Sequence, residues 1–285
     1  VIVPTPAYMP FLSIPGRHGR ECVQVPAHRG RDAAGRPVWE LDLGRIEAAM
    51  AGGAGLLVLC NPWNPVGRVL SPAELDAVAA LSSRYRVPVF ADEIHSPLVL
   101  DPAAAHTPYA SRPAAEADLT FTATAVSKGW NIPGLMCAQL IASGGARASW
   151  EASAPSAHLA DETAALGARA AAAALTPEGL AWIRTVRGYI RGNAELVAET
   201  LADVDGVEMT APTDTYLAWL DCSGLDLQGT APARFFRREP GVAMSPGAAF
   251  GRGYERFCRL NLATGRGIAV QIARRLAGAV GALRA

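Results

Sequence analysis

The feature that most restricts the fold is an order of elements in the first half of the chain. Leu56-Leu57-Val58-Leu59-Cys60 is apolar without alternation, as a strand buried on both faces must be. It stops at Asn61-Pro62. Ser71-Pro72-Ala73-Glu74 follows, a capping box with proline at the first helical position, which predicts a helix to about Arg86. Residues 87–91 form the next apolar run, which ends at Asp92. Residues 118–124 form a third, ending before Lys128, and residues 139–142 a shorter fourth. Strand, helix and strand in this order predict an α/β domain with a largely parallel sheet. Ligands of such sheets bind beyond the carboxyl ends of the strands. Asn61, Asn64, Asp92 and Lys128 each lie at such an end, so the order of elements predicts that they converge on one edge.

Other segments extend this plan. Val1-Ile2-Val3 reads as a buried strand running into a turn at Pro4-Thr5-Pro6. A fold rarely starts on a core strand, so a further N-terminal portion is expected to precede it. Thr176-Pro177-Glu178 starts a helix expected to reach about Leu201, long enough to connect two domains. Strands are expected at 207–210, 215–220 and 256–261, a turn at Ser245-Pro246-Gly247, and an amphipathic helix over 267–283. The expected division is a large domain over 1–176, incomplete at its N-terminus, and a smaller α+β domain over 177–285. The alanine-rich run at 167–175 is interrupted by Arg169 and is too short to span a bilayer.

Composition removes several function classes. The 26 Lys+Arg balance 26 Asp+Glu, and no basic stretch alternates with aromatics. Binding nucleic acid by counterion release therefore has no electrostatic support. Five scattered cysteines without CxxC spacing suggest neither a disulfide framework nor a zinc site. That usage suits a reducing cytoplasm, and no metal is expected. Lys128 is the only lysine; subtracting it from the 26 basic residues leaves 25 arginines. A primary amine deprotonates and condenses with a carbonyl to form a Schiff base, whereas guanidinium stays charged. The alternative is a lysine retained on a solvated face.

The surroundings of Lys128 decide between these. Ser127-Lys128-Gly129-Trp130-Asn131-Ile132-Pro133-Gly134-Leu135 resembles the lysine segment of fold-type I pyridoxal 5'-phosphate (PLP) enzymes. Asn61-Pro62-Trp63-Asn64-Pro65-Val66-Gly67 is similar to that family's NPxNPxG motif. Asp92-Glu93-Ile94-His95 matches its aspartate-bearing strand end, and Arg259-Leu260-Asn261 its carboxylate site. Four motifs in order, over essentially the whole chain, make the resemblance specific. Within the class I/II aminotransferase superfamily, Thr5-Pro6-Ala7-Tyr8, the Asp-Glu-Ile-His string and Thr215-Tyr216-Leu217-Ala218-Trp219-Leu220-Asp221 resemble the cystathionine β-lyase (C–S lyase) group of MalY/PatB type.

The resemblance implies a role for each residue. Lys128 would hold PLP as a Schiff base and, once freed, remove the substrate Cα proton. Asp92 would pair with the pyridine nitrogen; a helix cap is the weaker alternative. Asn64 would donate to the ring oxygen, while Asn-Pro is also a turn signal and Asn61 is the more structural of the two. Arg259 would grip the substrate carboxylate in a fork that lysine forms poorly, although among 25 arginines a surface role stands beside it. Tyr8 would stack on the cofactor ring or pack in the core. His95 stands where aminotransferases carry tyrosine, or serves as a capping or core histidine. Ser127 is a nearby hydroxyl for the phosphate.

Two positions depart from the pattern. Ala125 replaces a hydroxyl residue three positions before the lysine, and Met136 replaces a basic residue eight positions after it; both normally bind phosphate. The resemblance implies a homodimer acting on a small amino-acid thioether; from charge and hydropathy, neither a membrane nor a nucleic-acid partner is expected. It implies a β-lyase that yields thiol, pyruvate and ammonia. An aminotransferase, and a truncated non-catalytic domain, remain as alternatives.

Overall fold

The computed structural model describes residues 1–33, 35–210 and 214–283. The chain runs through β1 (Ile2–Thr5), α1 (Met9–Arg17), β2 (Val23–Pro26), β3 (His28–Arg31), β4 (Pro37–Glu40), α2 (Leu43–Ala51), β5 (Leu57–Cys60), α3 (Pro72–Tyr85), β6 (Val89–Asp92), β7 (Thr120–Thr124) and β8 (Gln139–Ala142). Then come α4 (Gly144–Glu151), α5 (Ala154–Asp161), α6 (Ala165–Ala174), α7 (Pro177–Ala202), β9 (Glu208–Met209), β10 (Leu217–Asp221), α8 (Pro232–Arg238), β11 (Ser245–Pro246), β12 (Phe257–Asn261) and α9 (Arg266–Ala282).

The larger sheet has the order β2-β1-β5-β6-β7-β8. All its neighbours are parallel except β8, which runs antiparallel to β7 at the edge. The expected capping box starts α3: Ser71 Oγ accepts the Glu74 N–H at 3.2 Å, and Glu74 Oε2 accepts the Ser71 N–H at 2.9 Å. Arg86, in the left-handed region at φ 56°, ends it. Leu75, Val78 and Ala79 of α3, with Ile46 and Met50 of α2, join Leu57, Leu59, Val89 and Ala91 of the strands in one core. The unalternated runs are thus covered, which is why they lack polar positions.

The smaller sheet, β11-β12-β10-β9, is antiparallel. Every residue of β10 is buried, so period-two alternation is hidden. Ala218 and Leu220 on one face pack with Val197 and Leu201 of α7 and Ala273 and Leu276 of α9. Trp219 on the other face joins Trp39, Phe250, Tyr254 and Phe257 in the core of the larger sheet. Its ring stacks on Phe257 with centroids 5.2 Å apart.

Several expected boundaries shift. The strand foreseen at 118–124 opens with a 3-10 turn at Ala117–Leu119, closed by the Leu119 N–H on the Glu116 carbonyl at 3.0 Å. The strand foreseen at 215–220 starts at Leu217, where Thr215 Oγ1 accepts the Leu217 N–H at 3.2 Å. The alanine-rich run is helix α6, buried at Gly167, Ala171 and Ala174. Among the described residues no helix is long and apolar enough to cross a membrane.

Candidate active site

The edge predicted from the strand ends exists. Adjacent strands β5, β6 and β7 finish in register, with Cys60 opposite Asp92 and Asp92 opposite Ala123. Whatever follows each strand therefore emerges at one rim. The loop after β5 is tied down by Trp63, whose backbone pairs with Arg68 and whose Nε1 donates to the Pro6 carbonyl at 2.9 Å. Asn61 is fully buried and bonded to backbone: its Oδ1 accepts the Leu70 N–H at 2.9 Å. Asn64, also buried, turns its Oδ1 toward Arg259 instead.

Asp92 closes β6 and is 6% exposed. Its Oδ1 accepts the Ile94 N–H at 3.2 Å. Burial pushes its pKa up to about 6, against the opposing pull of that N–H and of the Lys128 charge. A buried carboxylate that lacks a full counter-charge suits a cationic ring nitrogen. His95 begins the turn after the same strand, with its Nδ1 buried and without a partner. Burial first, then the charges of Lys128 and Arg259, lower its pKa to about 3, so the ring is neutral at ordinary pH.

Lys128 lies in the turn after β7 and is half-buried. The turn is held by the Trp130 N–H on the Val126 carbonyl at 2.9 Å and the Ile132 N–H on the Ser127 carbonyl at 3.0 Å. Trp130 Nε1 donates to the Gly179 carbonyl at 2.9 Å, anchoring the turn to the start of α7. Gly129 is required by close approach, since a Cβ there would sit 2.9 Å from Pro97 Cβ.

Arg259 reaches this rim from β12. Its Nη1 donates to Asn64 Oδ1 at 2.9 Å and its Nη2 to Ser245 Oγ at 3.3 Å, with the guanidinium 4.9 Å from the Phe250 ring centroid. Burial lowers its pKa, opposed by the nearby Tyr216 and Tyr8. Tyr216 lies 5.5 Å from His95, centroid to centroid. Tyr8 precedes α1, half-buried, edge-on to Phe11 at 5.8 Å. The structure thus gathers Asn64, Asp92, His95, Lys128, Arg259 and Tyr8. Ser127 shares the lysine turn, half-buried.

Tyr216 and Phe250 escaped the sequence reading as site residues. Tyr216 was legible only as part of the string before β10, and Phe250 only as a residue beyond a Gly/Pro turn.

The residues present fit the ring of PLP. The lysine amine, the buried Asp92 carboxylate, the unpartnered His95 Nδ1 and the Asn64 amide are the required donors and acceptors. At the phosphate end, Ala125 is buried and Met136 is 78% exposed, leaving Thr124 and Ser127 as the neighbouring hydroxyls. No cluster of metal-ligating side chains occurs among the described residues.

Comparison with known proteins agrees with this geometry. The model of the family "Aminotransferase class I and II" matches residues 1–273. The chain is 35% identical to cystathionine β-lyase of Corynebacterium glutamicum, across 97% of this chain and 70% of that one. It is 30% identical to protein MalY of Escherichia coli, across 100% of this chain and 70% of MalY. The crystal structure of a protein from Corynebacterium diphtheriae assigned as a PLP-dependent β-cystathionase superposes with a TM-score of 0.86 at 37% identity, over 98% of this chain and 71% of that one.

Proposed function

Because the chain belongs to the aminotransferase class I and II family, and within it to the fold-type I PLP enzymes of the MalY/PatB group, we propose that it is a carbon–sulfur β-lyase acting on an amino-acid thioether such as cystathionine. The observation that carries the reading is the meeting of Lys128, Asp92, Asn64 and Arg259 at one rim of the sheet. The cystathionine β-lyase named above, at 35% identity over 97% of the chain, supports elimination over amino transfer.

PLP supplies a conjugated ring that delocalises the electron pair left when a substrate loses its Cα proton. Lys128 Nζ holds the cofactor covalently. Freed from it, Lys128 Nζ would be the base that takes the substrate Cα proton. Asp92 would hold a proton on the ring nitrogen, and a cation there would favour the carboxylate charge that burial alone disfavours. Asn64 would donate from its amide nitrogen to the ring oxygen, while its Oδ1 accepts from Arg259 Nη1 and keeps that side chain aligned. Arg259 would fork onto the substrate carboxylate, Tyr8 would cover the ring face, and neutral His95 would offer a hydrogen bond near the ring oxygen. Ser127 contributes to the phosphate end. The departing β-thiolate would take up a proton to give the thiol, and hydrolysis of the remaining three-carbon enamine, with cleavage of its C–N bond, would give pyruvate and ammonia.

We place this site between a large domain over 1–176 and a small one over 177–285. The family resemblance supports a homodimer, and five unpaired cysteines support a reducing cytoplasm.

The test adds PLP, reduces with borohydride and maps the adduct by mass spectrometry, with Lys128→Ala as control. It then measures pyruvate and thiol from cystathionine. An adduct on Lys128 with pyruvate release is expected. Amination of a keto acid without pyruvate would overturn the lyase in favour of an aminotransferase. No adduct on a folded chain would overturn the site assignment.

A further inference from the structure

Behind the rim lies a buried hydrogen-bond chain that the reaction above does not use. Its logic starts at Asn61, whose amide orientation is fixed by two backbone groups. The Leu70 N–H can only donate, and it faces Oδ1 at 2.9 Å; the Thr107 carbonyl can only accept, and it faces Nδ2 at 3.3 Å. The NH2 end therefore also faces His106 Nδ1, at 3.4 Å. An NH2 group has no lone pair to offer, so His106 Nδ1 must be the acceptor and carry no proton. The other ring nitrogen lies 3.1 Å from Glu93 Oε2, and Glu93 Oε1 accepts the Tyr109 N–H at 2.7 Å. Both side chains are almost enclosed, at 12% and 5% exposure. The contact has the distance of an ion pair, yet the amide geometry demands a neutral ring that donates from Nε2.

The ends of this chain flank the cofactor residues. Asn61 is the first residue after β5, and its N–H bonds the Asp92 carbonyl at 2.9 Å. Glu93 is the first after β6, and its N–H bonds the Ala123 carbonyl at 2.8 Å. Asn64 is three residues from the first, and Asp92 adjoins the second. We propose that His106 is a positioning residue: its Nε2–H tautomer couples Glu93 to Asn61 and so sets Asp92 and Asn64 relative to each other for the pyridine ring. This rests on the reading that Asp92 and Asn64 hold PLP. The Glu93 charge also helps raise the Asp92 pKa, which ties the same chain to the protonation of the ring nitrogen.

Two measurements on the full chain test it. Nitrogen-15 NMR of the His106 ring at neutral pH is expected to show a neutral ring protonated at Nε2. An imidazolium, or a proton on Nδ1, overturns the chain whatever the enzyme does. Titration with PLP is then compared for wild type, His106→Leu and His106→Gln, with the pH midpoint of the bound cofactor's absorbance as a second readout. Loss of a buried hydrogen bond is expected to weaken PLP binding about tenfold in His106→Leu and to shift the midpoint. His106→Gln, which can still donate to Glu93, is expected to recover most of both. If His106→Leu fails to fold, Glu93→Gln replaces it and is expected to shift the same midpoint. Unchanged affinity and midpoint in the folded variant overturn the positioning role. Failure of wild type to bind PLP overturns the functional reading and the positioning role with it, while the tautomer result still judges the hydrogen-bond chain.

Discussion

Arg259 Nη1 donates to Asn64 Oδ1 at 2.9 Å, so the cation expected to bind substrate is held by the amide expected to bind cofactor. A hydrogen bond to a charged group contributes about 1.5–3 kcal/mol. Asn64→Ala should therefore raise both the KM for cystathionine and the Kd for PLP, each by roughly tenfold or more. Steady-state kinetics and a PLP titration check the pair. A rise in only one would show that the two functions of the amide are separable.

Asp92→Asn should leave PLP trappable on Lys128 but lower kcat by roughly 10²-fold or more, the usual scale for removing a well-placed electrostatic partner. It should also change the pH profile of the cofactor-free protein. The folded pKa, near 6, lies above the unfolded value of about 3.9. The native state thus binds the extra proton between these values, and stability falls as pH rises through that window. The asparagine variant should flatten that fall, read by urea unfolding at pH 4 and pH 6.5.

His95 acts with the opposite sign. Its folded pKa is near 3, below the unfolded value of about 6.5. Between them the unfolded chain binds the extra proton, so stability is lost as pH falls from about 6.5 toward 3. His95→Gln should lose less stability than wild type on going from pH 7.5 to 4.5. Unfolding curves at those two pH values decide it.

Trp130 Nε1 bonds the Gly179 carbonyl at 2.9 Å and joins the lysine turn to α7. Trp130→Phe keeps most of the packing and removes the bond. It should cost about 1 kcal/mol by chemical unfolding, and borohydride trapping at Lys128 should still succeed.

Much of the rim was legible because strand ends write themselves locally. An apolar run that stops at Asp92, or just before Lys128, marks a carboxyl terminus whatever the rest of the chain does. Arg259 needed its Leu260-Asn261 context, since composition alone makes it one arginine among many. Tyr216 and Phe250 were not legible as site residues, because their placement depends on how β10 and β12 lie against distant segments. The β3–β4 hairpin was equally hidden: His28-Arg29-Gly30-Arg31 has no apolar alternation. It is fixed by ion pairs from Arg29 and Arg31 to Glu208, from Arg29 to Asp221, and by the Trp39 Nε1 bond to Thr210 at 3.0 Å.

Trp219 sits on a strand of the smaller sheet yet is completely enclosed in the core of the larger one. Separating the two proposed domains would part Trp39 from Tyr254 and Phe257, whose ring centroids lie 5.9 and 5.7 Å from its own, and open the cluster that encloses the indole. Each aromatic side chain of this kind contributes several kcal/mol when buried. Neither half, then, has a complete interior without the other. Heating should melt the molecule as one cooperative unit, with a single calorimetric transition, and a fragment ending at Thr176 should fail to fold unless residues 177–285 are supplied.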